Sequence, residues 1–266
     1  TNYALHKALY SGHNDHNYFE IAHTVKYLQN MGNLDLYNFV DNHDVERIYT
    51  KLSNKAHFTP VHILLYTLPG VPSIYYGSEF GIEGRKERSS DDSLRPALNL
   101  EDYESALSDN PCTALIAALG KIRQNTPALS YGSYTELQLT NRQFAFARDL
   151  DSVRVIVTVN NDDNDAWMNL PAGKSADLAA VICTHGSVDQ IAGSVPVPVI
   201  QIAGMVKCRA VRLHIKRHTG IRRAQSLNIQ VIDPAFFIRP HIVNPLRYLR
   251  RESMLCQKVR AHLTVF

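Results

Sequence analysis

The sequence has little cysteine and a single tryptophan in its 266 residues. Four cysteines lie far apart and form no Cys-x-x-Cys pair, so we expect neither a zinc site nor a disulfide framework. No apolar run is long enough and free enough of charge to span a membrane, and Thr1-Asn2-Tyr3 opens no basic and then apolar targeting region. Because the first residue is not methionine, we expect the natural start to lie upstream. The sequence carries no signal for either a cytoplasmic or a secreted location.

Charge is distributed unevenly along the chain, although the net charge is only +3. From Val199 onward, 13 basic side chains accompany only two acidic ones, Asp233 and Glu252, which gives a net charge of +11. The preceding residues hold 15 basic and 23 acidic side chains, a net charge of −8. This break predicts a boundary near Pro198 in a chain that is 45% hydrophobic, enough for one or two globular domains.

Residues 199–266 form a basic tail of uncertain structure. Arginine is mixed there with Leu, Ile, Cys and His without a sustained helical or strand period, apart from a short alternation at 209–217. An out-of-frame translation or a disordered segment would give this pattern, and so would an arm that binds nucleic acid or an anionic surface. We prefer the first interpretation, and expect no nucleic-acid partner, because no aromatic stacking platform accompanies the charge.

Residues 34–79 predict a strand, a helix and a second strand. The apolar run from Leu34 to Val40 ends abruptly at Asp41-Asn42-His43-Asp44, as expected for a strand that is covered on both faces. A helix around His62–Leu68 is stopped by Pro69-Gly70, and a second strand runs from Val71 to Tyr76. Such a unit is a parallel crossover, and it places Asn42, His43 and Asp44 at the carboxyl end of the first strand.

Two segments of this unit resemble the α-amylase superfamily of glycoside hydrolases, most of all its neopullulanase and cyclomaltodextrinase-type members. They are Phe39-Val40-Asp41-Asn42-His43-Asp44 and the stretch from Gly70 to Glu79. The resemblance covers about residues 1–198. It implies that the two strands are the seventh and eighth of a (β/α)₈ TIM barrel, an α/β fold with catalytic groups at the carboxyl ends of its strands.

The flanking segments fit this interpretation. We predict helices over residues 3–10, with a break at Ser11–Asp15, over residues 19–28, and over residues 110–124. Alternating runs then predict an antiparallel sheet with strands at 134–139, 143–148, 153–160, 166–170 and 195–197. The predicted domains are residues 1–128, the C-terminal part of the catalytic barrel; 129–198, a small antiparallel β-sandwich; and 199–266, the unassigned tail.

The resemblance assigns roles to five residues. Asp44 matches the carboxylate that stabilises the transition state. His43 matches a histidine that donates hydrogen bonds to the same sugar, and Asn42 beside it is expected to bind substrate as well. Asp91 and Arg95 have the spacing of a loop that holds a neighbouring glucose unit, although a solvated ion pair explains that spacing equally well. Asp41 lies one step back along the strand, and we expect it to be structural.

Retaining hydrolysis also needs a nucleophile and a general acid. No Gly-Phe-Arg-x-Asp stretch is present, and neither Glu20 nor Glu79 lies in a suitable motif. The resemblance therefore implies a fragment of a retaining α-glucan hydrolase, inactive alone, whose substrates are α-1,4-linked starch, maltodextrin or cyclodextrin. The alternative is a non-catalytic carbohydrate-binding or scaffold protein.

Histidines invite a metal-site interpretation, but His6, His13, His16 and His23 follow no recognised ligand pattern. We expect scattered surface histidines, no metal and no cofactor in this portion. A calcium ion, in an enzyme that uses one, would belong to the part before Thr1. No motif fixes the oligomeric state, and the expected partner is an α-glucan, not a membrane.

Overall fold

The structure is a computed structural model that describes residues 1–32, 34–164, 166–171, 177–183, 187–190, 198–205, 210–214 and 230–231. Its α-helices within those ranges are α1 (Tyr3–Asn14), α2 (Tyr18–Gln29), α3 (Ile48–Lys51), α4 (Phe58–Thr67), α5 (Ala106–Asp109), α6 (Pro111–Asn125) and α7 (Pro127–Tyr131). None of these helices is long and apolar enough to cross a membrane.

The predicted parallel crossover is confirmed. Strand β1 (Tyr37–Phe39) pairs in parallel with β2 (Val71–Ser73), and α4 connects them. The turn before β2 requires glycine, because Gly70 has a φ of +111° and a Cβ atom there would lie 2.7 Å from the carbonyl oxygen of Leu36. Both strands are shorter than predicted, so the residues that follow them are irregular and free to form loops at one end of the pair.

The break predicted at Ser11–Asp15 comes too early, because helix α1 continues to Asn14. Asn2 caps its start by accepting a hydrogen bond from the backbone N–H of Leu5. Gly12 remains inside the helix because α2 crosses closely there: a Cβ atom would lie 3.0 Å from Cγ1 of Ile21. The glycine therefore permits a helix crossing and does not end the helix.

Helix α6 agrees with its prediction, and its ends explain why. The side chain of Asn110 accepts hydrogen bonds from the N–H groups of Cys112 and Thr113, and Pro111 occupies the first helical position. At the other end Pro127 begins the short helix α7, which leads directly into the sheet.

The sheet begins as predicted. Strands β3 (Ser133–Leu139), β4 (Gln143–Leu150) and β5 (Val153–Asn160) pair antiparallel, with Phe146 opposite Val157. One face of β4 and β5 packs on the helices, and a single core runs through both parts of the chain. Among its buried apolar side chains are Leu5, Leu9, Ile21, Ile63, Leu64, Leu115, Leu119, Phe144, Phe146, Val155 and Val157.

Later strands depart from the expected antiparallel sandwich. They are β6 (Trp167–Pro171), β7 (Asp177–Cys183), β8 (Ser187–Gln190), β9 (Pro198–Met205), β10 (Ala210–His214) and β11 (Gln230–Val231). Their order is β11-β7-β9-β5-β4-β3 in one sheet and β6-β10-β8 in the other, and every pairing that involves β9 or β10 is parallel. The chain between β5 and β9 is long enough for such a parallel connection, which a tight hairpin cannot make.

Residues 199–205, which we assigned to the tail, therefore lie in the six-stranded sheet beside β5. The strand expected at 195–197 lies outside the described residues. The other predicted domain limits stay predictions.

Candidate active site at the carboxyl ends of β1 and β2

Asn42, His43 and Asp44 follow β1 in a turn that leaves the Asp44 carboxylate accessible. The side-chain oxygen of Asn42 accepts a hydrogen bond from the backbone N–H of Asp44 at 2.8 Å, and its amide nitrogen lies 3.4 Å from the hydroxyl of Tyr3. Asn42 therefore holds the turn in shape, while 48% of the Asp44 side chain stays exposed. The expected contact of Asn42 with substrate stays a prediction.

Arg95 brings the loop residues to this turn. Its Nη2 atom donates to Oδ2 of Asp91 at 2.9 Å and lies 3.7 Å from Oδ1 of Asp44. The same guanidinium donates to the carbonyl oxygen of His43 through Nε at 3.3 Å and through Nη2 at 3.2 Å. All five residues singled out from the sequence therefore lie in one cluster, although Asp91 and Arg95 are about fifty residues away from the turn.

His43 lies near the other oxygen of the Asp44 carboxylate, Oδ2. Its Nε2 atom is 3.3 Å from Oδ2 of Asp44, and its ring centroid is 6.5 Å from that of Tyr75. More than half of the His43 side chain, 58%, is exposed. The imidazole can donate a hydrogen bond to the carboxylate or to a hydroxyl group placed next to it.

Lys86 is a residue of this cluster that the sequence analysis missed. Its ammonium group donates to the carbonyl oxygen of Asp44 at 2.7 Å. The only sequence signal was its place in the polar loop of residues 85–93, which holds other cations as well. Lys86 thus holds the backbone of Asp44, whereas Arg95 lies close to its carboxylate.

Asp41 lies beneath the cluster and is 1% exposed. Its carboxylate accepts hydrogen bonds from the N–H of Ile48 at 2.7 Å and from the hydroxyl of Ser78 at 2.8 Å. Burial raises the pKa of Asp41, and these hydrogen bonds and the nearby charge of Arg47 oppose the rise. These contacts tie the end of β1 to the segment after β2, as the structural role expected for Asp41 requires.

Glu20, which we considered for catalysis, and Asp149 in the sheet both have local partners. Glu20 accepts hydrogen bonds from Lys7 and Ser11 on the surface of α1 and α2. Asp149 forms a bidentate pair with Arg154 in the sheet, with contacts of 2.6 and 2.9 Å. Neither is placed for chemistry at Asp44.

Two histidines that we expected on the surface are buried. His6 is 5% exposed and stacks on Phe39, and its Nδ1 atom is 2.8 Å from the carbonyl oxygen of Val40. His13 is fully buried, and its Nε2 atom lies 3.2 Å from the hydroxyl of Tyr18. Desolvation lowers the pKa of His6 to about 4 and that of His13 to about 3. No group of three His, Cys, Asp or Glu side chains among the described residues could hold a metal ion.

A groove of about 490 Å³ opens at the opposite, amino-terminal ends of β1 and β2. Leu36, Gly70, Tyr134 and Arg148 line it, and none of the five predicted site residues does. We place the candidate site at the carboxyl ends of the strands because the accessible carboxylate, imidazole and guanidinium groups converge there, whereas the groove is a junction between helices and sheet.

A family match covers the part of the chain that contains the five predicted site residues. Residues 7–131 match the family described as "Alpha amylase, catalytic domain". The cyclomaltodextrin glucanotransferase of Bacillus sp. (strain 38-2) is 26% identical over 161 residues, which is 60% of this chain and 20% of that protein. The glucanotransferase of Paenibacillus macerans is 28% identical over 150 residues, 54% of this chain and 20% of that protein. The chain thus spans about a fifth of the length of these curated relatives.

Two solved structures share the fold of about three fifths of this chain. A debranching enzyme of Nostoc punctiforme, in crystals soaked with acarbose, matches with a TM-score of 0.50 and 25% identity over 62% of this chain and 38% of that chain. The cyclic α-maltosyl-(1→6)-maltose hydrolase of Arthrobacter globiformis matches with a TM-score of 0.52 and 22% identity, over 60% of this chain and 36% of that chain.

Proposed function

We propose that the chain is part of a retaining enzyme that cleaves or transfers α-1,4-linked glucan, because residues 7–131 match the catalytic domain of the α-amylase family. The substrate would be starch, maltodextrin or cyclodextrin. The observation that carries this proposal is the convergence of Asp44, His43 and Arg95 at the carboxyl ends of two parallel strands.

Asp44 supplies the charge in this proposal. Cleavage of a glycosidic bond passes through a state in which the sugar ring carries positive charge, and a fixed carboxylate favours that state over the neutral substrate. His43, 3.3 Å from the same carboxylate, can donate to a ring hydroxyl that Asp44 also accepts from. The two side chains would then hold one sugar in the distorted shape that the reaction requires.

Asp91 and Arg95 would bind the neighbouring sugar. Their ion pair is partly exposed, with 39% and 46% of the side chains accessible, so a hydroxyl group can reach either partner. An exposed pair of this kind is worth only about 0.2–1 kcal/mol, and sugar hydroxyls can replace its contacts at little loss.

The nucleophile and general acid are not assigned to residues of this chain. Asp44 would be one of three carboxylates that the reaction needs. We therefore propose that the chain alone binds α-glucan oligosaccharide without cleaving it.

Binding without catalysis is also the second candidate function. The contact of Arg95 with Asp44 favours it, because an ion pair that accepts and donates to hydroxyl groups is a complete recognition element by itself. A carbohydrate-binding or scaffold protein would keep this cluster although it lacks the other two carboxylates.

Titration of the full chain with maltoheptaose, followed by calorimetry and by the NMR signals of His43, tests the proposed site. We expect binding that Asp44→Asn weakens, and no change for Asp163→Asn, an exposed carboxylate in the bend after β5 that has no described contact with the five predicted site residues. Absence of binding by the unmodified chain would contradict the proposal. Release of reducing sugar from starch by the purified chain would show that the remaining catalytic groups are present after all.

A further inference from the structure

Arg47 is a fully buried guanidinium that joins the segments around the candidate site. Its side chain is 0% exposed. Nη1 donates to the carbonyl oxygen of Tyr76 at 2.6 Å and to the hydroxyl of Ser78 at 3.0 Å, and Nη2 donates to the carbonyl oxygen of Leu94 at 2.8 Å. The guanidinium carbon also lies 4.3 Å from the ring centroid of Tyr75. One side chain thus connects the turn after β1 with the segment after β2 and with the loop that carries Arg95.

The loop of residues 85–93 closes at its base on this arginine. The backbone N–H of Arg47 donates to the carbonyl oxygen of Gly84 at 3.0 Å. A Cβ atom at Gly84 would lie 2.4 Å from the carbonyl oxygen of Ser93 and 2.8 Å from Cγ of Arg47. Glycine is therefore required where the two ends of the loop meet over the Arg47 side chain.

The contact with Leu94 reaches the site directly. Leu94 is itself fully buried and is the neighbour of Arg95, whose guanidinium touches Asp44 and the carbonyl oxygen of His43. Arg47 in turn follows Asp44 by three residues. Both sides of the Asp44–Arg95 contact are consequently attached to one buried group.

We propose that Arg47 is a positioning residue that fixes the loop of residues 85–93 and Arg95 against Asp44. Its consequence for ligand binding rests on the proposed function, because it assumes that Asp44 and Arg95 hold an α-glucan. Arginine suits this position because its planar fork donates in several fixed directions at once and stacks on an aromatic ring. Lysine keeps the charge but concentrates it at one nitrogen, so it cannot keep all three acceptors and the ring contact together.

Arg148 provides a matched control. It is 2% exposed, and within the described ranges it donates to the backbone carbonyl oxygens of Thr67 and Gly132, at the junction of α4 with the sheet. Arg148→Lys therefore removes a buried guanidinium of the same kind without touching the candidate site. If both Arg47→Lys and Arg148→Lys make the loop easier to cleave and weaken ligand binding, the cause is lower stability. If only Arg47→Lys has these effects, the cause is the loss of positioning.

The experiment measures cleavage of the loop by trypsin in the full chain, at a temperature where circular dichroism shows each variant folded. Arg85, Lys86 and Arg88 are exposed trypsin sites in this loop. We expect Arg47→Lys to be cleaved there about tenfold faster than the unmodified chain, and Arg148→Lys to be cleaved at nearly the unmodified rate. Maltoheptaose should bind about tenfold more weakly to Arg47→Lys and with unchanged affinity to Arg148→Lys.

A second pair of variants covers the case in which Arg47→Lys does not fold. Gly84→Ala pushes the loop base off Arg47 while every charge is kept, and Gly120→Ala adds the same methyl group in α6, where nothing lies within 4 Å. Faster loop cleavage in Gly84→Ala alone supports the proposal. Equal cleavage in the members of both pairs overturns it. Faster cleavage in Arg47→Lys or Gly84→Ala, with no maltoheptaose binding even by the unmodified chain, supports the role of Arg47 and refutes the proposed function.

Discussion

Nη2 of Arg95 lies 3.7 Å from Oδ1 of Asp44 and 2.9 Å from Oδ2 of Asp91, so one guanidinium serves two carboxylates. The shorter contact is a hydrogen bond within the loop, and the longer one is an electrostatic contact between this loop and the turn after β1. Because 46% of the Arg95 side chain is exposed, water or a sugar hydroxyl can compete for it. The arrangement favours ligand recognition over stability.

We predict from this that Arg95→Ala lowers maltoheptaose affinity about tenfold while the melting temperature changes little. The loss of affinity follows from the removal of charged donors beside Asp44. The small effect on stability follows from solvent exposure of the pair. Calorimetry and thermal circular dichroism measure the two quantities.

Arg88→Ala is the control for this prediction, because Arg88 is exposed in the same loop and has no described contact with Asp44. An equal loss of affinity in both variants would show that the general positive charge of the loop, and not the Arg95 contact, attracts the ligand.

Acid should destabilise the fold through its buried histidines. Burial lowers the pKa of His6 and His62 to about 4 and that of His13 to about 3. As the pH falls below about 6.5, these histidines become protonated in the unfolded chain but stay neutral in the folded chain. Their contribution to the free energy of unfolding is therefore fully present above pH 6.5 and decreases as the pH approaches 4. Chemical denaturation at several pH values should show this decline, on the order of 3 kcal/mol for each histidine that stays neutral.

His62→Leu tests one contributor. His62 is fully buried against Phe58, with ring centroids 3.9 Å apart, and Nε2 has no hydrogen-bond partner in the described part of the chain. The variant should flatten the pH dependence between 6.5 and 4, whereas His23→Gln, at an exposed position, should leave it unchanged. A decline of the same steepness in His62→Leu would rule out this histidine as a cause.

The sequence predicted the local elements near the site well, because their signals are local. Pro69-Gly70 and the polar run from Asp41 to Asp44 mark where a strand begins and where one ends, and the structure confirms the parallel pair. The helix ends were harder to predict. The Ser11–Asp15 break failed because Gly12 serves the crossing of α2, a contact that no local pattern contains.

Long-range contacts explain what the sequence could not show. Arg47 looks like any polar residue after a strand, and only the fold brings Tyr76, Ser78 and Leu94 around it. Lys86 was equally hidden within its loop. Likewise, the charge break near Pro198 gave no sign that residues 199–205 pair with β5.

This pairing predicts the outcome of two truncations. A chain that ends at residue 198 loses β9, the parallel neighbour of β5, whose Val155, Val157 and Val159 are fully buried. A chain that ends at residue 205 keeps it. We expect the shorter chain to melt several degrees lower, since its central strand gains an open edge. Equal melting temperatures would restore the interpretation of residues 199–205 as tail.

The last prediction concerns the chemistry of Asp44 and uses a reconstituted enzyme, with the amino-terminal part of a glucanotransferase catalytic domain joined before Thr1. Asp44→Asn keeps the shape of the side chain and removes the charge that, in the proposed function, favours a positively charged sugar ring. An interaction of this kind is stronger in the transition state than in the ground state, so the loss should appear in kcat, on the order of 10²-fold or more, with KM changed less. His43→Ala should act similarly but more mildly.

Asp41→Asn should instead lower stability, because the buried Asp41 carboxylate accepts hydrogen bonds from Ser78 and from the N–H of Ile48 and is not exposed at the candidate site. Steady-state kinetics on maltodextrin, together with melting curves, separate these effects: a near-normal kcat for Asp44→Asn beside an inactive but stable Asp41→Asn would move the catalytic carboxylate from residue 44 to residue 41.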